Sequence, residues 1–134
     1  LPMVYTSQTP ELAMLELLTK VTPATFGVRM AVEIELPADA RVEDATPVVL
    51  EMLLHGKDDD LRKLGSSWAL EGRSLALKVP AAVIPVSFNY LLNPAHARAK
   101  ELRIVRQVPV SLDPRLQLLD KHAPEDARSG RGGS

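Results

Sequence analysis

The residue that invites chemistry first is Glu16, a carboxylate set among leucines in "LAMLELL". Tyr5, in "VYTS", stands shortly before it, and "NYLLNPAH" brings two asparagines and a histidine (Asn89, Asn93, His96) around an apolar run. A carboxylate in such surroundings is either solvated on the flank of its helix or needed there for chemistry. Other chemistries fit the chain badly. The histidines His55, His96 and His122 have no metal-ligand spacing, no glycine-rich phosphate loop is present, and no G-x-S-x-G elbow marks a serine hydrolase. Asp58 to Asp60 lack the glycine and distal glutamate of a calcium loop, so "HGKDDD" reads as a solvated acidic surface loop.

A chain of 134 residues suits one domain with a core of its own. Its 16 basic and 17 acidic side chains leave a net charge of -1, which gives no field favouring nucleic acid or an anionic membrane. Cysteine is absent, which excludes disulfides, thiolate zinc sites and a cysteine nucleophile and agrees with a cytoplasmic location. No apolar run approaches the ~20 residues that cross a bilayer. Because the chain opens at Leu1 without an initiator Met and runs almost at once into a strand, its natural N-terminal part is expected to be missing.

The elements that must position these residues follow from periodicity. A short strand is predicted over Met3 to Thr6, then a helix capped by Thr9, with Pro10 at its first position, running to about Lys20. Leu12, Leu15 and Leu18, with Met14, form its apolar stripe, and Glu16 flanks that stripe. Met30 to Leu36 alternates as a half-buried strand with one wet face, Pro47 to His55 has helical spacing, and Ser74 to Val79 and Leu102 to Val110 are further alternating strands. "AHARAKE" holds at most a turn of helix. Trp68 anchors the approach to Ser74 as core. Residues 1–120 make the domain and 121–134, ending in "RSGRGGS", a flexible tail. The fold class expected is α+β, mostly antiparallel with a few short helices.

Three blocks, "MVYTSQTPELAMLELL", "GSSWALEGRSLALKVPAAVIPVSFNYLLNPAHA" and "SLDPRL", resemble RES-domain proteins, the toxins of Xre–RES toxin–antitoxin systems. The likeness rests on their order and spacing and is weaker between Leu36 and Gly65. It implies an ADP-ribosyltransferase-like fold, NAD as substrate with no metal, cleavage of the nicotinamide–ribose bond, an Xre-type antitoxin as partner, and a homodimer within the toxin–antitoxin complex. Neither nucleic acid nor membrane is an expected direct partner.

Carried over residue by residue, the family glutamate maps to Glu16 and a pocket tyrosine to Tyr5. The family arginine belongs upstream of "VYTS", and Arg29, which follows the helix, cannot replace it. The family serine follows the "VP" at a strand end, and after Val79-Pro80 this chain has Ala81, so the hydroxyl is absent there; nearby Ser87 is a substitute that the spacing does not demand. The expected catalytic residues are Glu16 and Tyr5, and the expected NAD-binding residues are Tyr5, Glu16, Ala81 and Asn89. Asn93 and His96 are expected to brace the loop as a scaffold for the pocket rim. Two alternatives stay open: a catalytically degenerate RES domain that binds NAD or antitoxin, and a small binding domain unrelated to NAD.

Overall fold

The computed structural model describes residues 2–116. Along the chain run β1 (Val4–Ser7), α1 (Pro10–Leu17), β2 (Val28–Glu35), β3 (Val42–Asp44), α2 (Thr46–Leu54), α3 (Asp58–Glu71), β4 (Ala76–Pro80), β5 (Phe88–Leu92) and β6 (Arg103–Ser111), with single 3-10 turns at Pro23–Thr25 and Ala99–Glu101. One sheet has four strands in the order β1-β5-β4-β3, and β2 pairs with β6 in a separate ribbon. All pairs are antiparallel except β3 with β4, which α2 and α3 connect by a crossover. The α+β, antiparallel-rich class expected from the sequence is the class found. The domain boundary at residue 120 and the tail 121–134 lie outside the described residues.

Local chemistry explains the helices. Thr9 sits in extended backbone and its side chain accepts the Leu12 N–H, while Pro10 opens α1 where its missing donor costs nothing. At the start of α2, the Asp44 carboxylate accepts the Thr46 N–H at 2.9 Å. Gly72 ends α3 in the left-handed region at φ 64, a conformation that glycine alone adopts freely.

Helix α3 corrects the sequence reading of "HGKDDD". Asp58, Asp59 and Asp60 are its first turn, where carboxylates complement the positive end of the helix. Leu61, Leu64, Gly65, Trp68 and Ala69 form its inward stripe, a spacing of three and four that the acidic run obscured. Trp68 therefore anchors Ser74 from a helix. Its indole Nε1 donates to the buried Ser74 hydroxyl at 2.7 Å, and the hydroxyl lies 3.1 Å from Glu43 Oε2 on β3. Arg73 Nη2 donates to the other carboxylate oxygen of Glu43 at 2.8 Å. One network thus ties α3 to the entry of β4 and to β3.

Trp68, Ala69, Leu77 and Leu91 make the core between α3 and the sheet, with Met3, Ala45 and Val79 packed at its margin. Leu75, Ala76 and Leu77 are all buried, so β4 is covered on both faces and does not alternate wet and dry as expected. Strand β5, which the sequence reading took for a pocket-rim scaffold, is the inner strand between β1 and β4. Its Leu91 and Leu92 are buried on opposite faces. The ribbon differs in the other direction. Val28, Met30 and Val32 share a face that stays largely exposed among the described residues, where one buried face was expected. Helix α1 is shorter than expected, closing at Leu17 rather than about Lys20, with Leu12 buried and Leu15 exposed.

Asn93 ends β5 as the structural brace expected of it. Fully buried, it donates Nδ2 to the Ala69 carbonyl at 2.9 Å and accepts the Ala95 N–H at 3.0 Å. His96 works alike, its Nδ1 accepting the Arg98 N–H. Truncation of Asn93 takes the donor from the buried contact with the Ala69 carbonyl and the acceptor from the more exposed Ala95 N–H, so Asn93→Ala lowers the unfolding free energy by about 1–3 kcal/mol in denaturant titrations. The hydrogen bond from Arg73 holds the Glu43 carboxyl below its ordinary 4.5, outweighing the opposing effect of burial. A depressed folded-state value means stabilisation that is complete above the ordinary value and is lost as pH falls through the depressed one. Glu43→Gln accordingly flattens the fall in melting temperature below pH 4.5, measured by scanning at stepwise lower pH.

Candidate functional site

The register of the four-stranded sheet decides which side chains meet. Tyr5 stands opposite Leu91, Ser7 opposite Asn89, and Asn89 in turn opposite Val79. Directly paired residues share a face, as do residues two apart on one strand. Tyr5 and Asn89 therefore lie on the same face, as diagonal neighbours of the kind that stand roughly 7–8 Å apart. The ladder continues one step beyond β4, since the Ala81 N–H donates to the Ser87 carbonyl at 2.9 Å. Ala81 and Ser87 thereby extend the same face.

Helix α1 brings Glu16 to this face. The β1–β5 ladder runs on through the Gln8 N–H, which donates to the Phe88 carbonyl at 3.1 Å. The chain then turns into the Thr9 cap, so the start of the helix is fixed against the sheet. Glu16, two turns on, is half-buried and accepts a hydrogen bond from Asn89 Nδ2 onto Oε1 at 3.1 Å. The oxygen of the same Asn89 amide, Oδ1, is buried and has no hydrogen-bond partner among the described residues. Thr19 closes the helix behind Glu16 by donating its hydroxyl to the Glu16 carbonyl.

The four residues singled out from the sequence thus fall on one face in different settings. Glu16 and Asn89 touch. Tyr5 is 73% exposed on the edge strand, its ring open to stacking by a ligand. Ala81 is fully buried, offering neither a side-chain polar group nor exposed surface, whereas its cross-strand partner Ser87 is half-buried and carries a hydroxyl. The contact between Glu16 and Asn89 was not foreseen: it joins residues 73 positions apart, and no local pattern announces it. Among the described residues, no group of three or more His, Asp or Glu side chains is arranged to hold a metal ion. No helix there is long and apolar enough to cross a membrane.

Residues 1–113 match the RES domain family model. The chain belongs to the RES-domain family. It is 34% identical over 106 residues, 77% of this chain and 72% of the relative's length, to a Pseudomonas putida protein named Toxin Res. A second relative, named Prs ADP-ribosylating toxin and found in Sphingobium sp., is 33% identical over 121 residues, 84% of this chain and 73% of its own. Both relatives are named as toxins, the second as an ADP-ribosylating one.

Because the position of Glu16 depends on how α1 leaves the sheet, the Thr9 cap is part of the site's support. Thr9→Ala removes the acceptor for the Leu12 N–H and costs about 1 kcal/mol of stability. Hydrogen exchange is expected to speed first at the amides of α1.

Proposed function

We propose that this RES-domain protein is an NAD-consuming toxin that breaks the nicotinamide–ribose bond. The observation that carries the reading is the half-buried Glu16 carboxylate, fixed by Asn89 on the sheet face that also presents Tyr5. Departure of nicotinamide leaves its bonding electron pair on the base and a cationic, oxocarbenium-like ribose behind. A fixed carboxylate beside the ribose stabilises that charge, as glycosidase carboxylates do, and accepts a hydrogen bond from a ribose hydroxyl. Tyr5 supplies a flat surface for the nicotinamide half. Water, phosphate or a protein side chain then takes the ribosyl group, and the name of the Sphingobium relative favours a protein acceptor for that relative.

The partner that fits a toxin of this family is an Xre-type antitoxin, and a homodimer within their complex completes the reading. A second reading has its own observation. Ala81, fully buried, stands where the RES pattern carries serine, so the site lacks that hydroxyl. On that reading the domain binds NAD or its antitoxin and turns NAD over slowly or not at all.

The test is NAD depletion by the purified protein beside Glu16→Gln, which keeps the shape and the hydrogen bond but removes the charge. Wild-type consumption, reduced at least about a hundredfold in Glu16→Gln, establishes the enzyme. Ala81→Ser raises the rate by about tenfold if the missing hydroxyl limits it. An idle wild type that still binds NAD hands the case to the binding-module reading.

A further inference from the structure

Asn89 was expected, from its place after the site strand, to bind NAD itself. The geometry points to a different role: we infer that Asn89 is a positioning residue that sets the Glu16 carboxylate and does not touch substrate. The inference rests on the proposed NAD cleavage and adds to it the device that fixes the carboxylate.

Three features carry it. First, the amide is committed to Glu16, with Nδ2 3.1 Å from Oε1. Second, its oxygen is buried and has no partner among the described residues. Rotating the amide by half a turn would place that oxygen against the carboxylate, two acceptors face to face, so the orphaned acceptor is the cost of keeping the donor on Glu16. A group with no acceptor exposed and its near donor already engaged has little left for a ligand. Third, the two side chains differ in freedom. Asn89 is short and stands on the inner strand β5, hydrogen-bonded to β1 and β4 on either side. Glu16 has one more rotatable bond and projects from the flank of an eight-residue helix. A rigid donor at the end of a rigid strand removes the rotamer freedom of the mobile acid and leaves Oε2 for the ribose hydroxyl.

The role predicts a split between binding and turnover. The experiment measures NAD affinity by calorimetry, kcat by nicotinamide release and the melting temperature, for wild type, Asn89→Ala and Asn89→Asp. For a group acting through Glu16, Asn89→Ala keeps the dissociation constant for NAD within about twofold and lowers kcat about tenfold or more, because orientation matters in the transition state. Asn89→Asp is nearly isosteric but sets a second carboxylate against the first, and it is slower still. Its folding is expected to survive even if the alanine variant melts early. Weaker NAD binding with kcat preserved would show a direct substrate contact and overturn the inference. So would an Asn89→Asp enzyme as fast as wild type, or an alanine variant with unchanged kcat. A wild type that releases no nicotinamide overturns the cleavage reading and this one with it, and that outcome is visible before any variant is compared.

Discussion

A strand hydrogen-bonded on both sides cannot slip by one residue without exchanging its two faces, and β5 is held in that way between β1 and β4. Its register sets Leu91 against α3 and, two residues earlier on the same face, Asn89 beside Glu16. Core and site therefore share one constraint. The chain of hydrogen bonds from buried Trp68 through buried Ser74 to half-buried Glu43 secures the other side of the sheet, fixing the entry of β4 and the short parallel strand β3. Burial of Leu77 and Leu91 beneath α3 then locks the pairing that places Asn89.

On that platform the carboxylate is delivered by a short path. The ladder runs past β1 to Gln8, Thr9 caps the helix at once, and Glu16 follows within two turns. There is little slack between the sheet edge and the acid. The edge position leaves Tyr5 exposed, while Glu16, on α1, is half-buried. The β2–β6 ribbon shares no such constraint with the site. Its pairing is extensive, yet its apolar face stays open among the described residues.

What the sequence disclosed followed the range of the interaction. Thr9-Pro10 and Pro47 announced helices because caps and proline act locally, and Glu16 and Tyr5 were singled out because the "LAMLELL" and "VYTS" blocks resemble the RES family. Helix α3 was missed because three aspartates read as a loop, although the stripe from Leu61 to Ala69 was present behind them. Strand β5 was read as a scaffold for a rim because asparagines bound it, and only its two neighbours show that it is an inner strand. The wet face expected of β4 failed for the same reason, since cover from both sides is a tertiary fact. The bond from Asn89 to Glu16 depends on three strands and a helix meeting, and no window of sequence contains it.

The pairing of the first strand with the fifth also orders events during synthesis. Thr6 donates its hydroxyl to the Tyr90 carbonyl across 84 residues, and Glu16 waits 73 residues for Asn89. A nascent chain can form the capped helix early, but the face that joins these groups cannot assemble until β5 has emerged and closed that long loop. In a protein whose kinship is with toxins, the ribosome-bound fragment carries the acid without its setting, and the complete constellation arises only when most of the domain is free to fold.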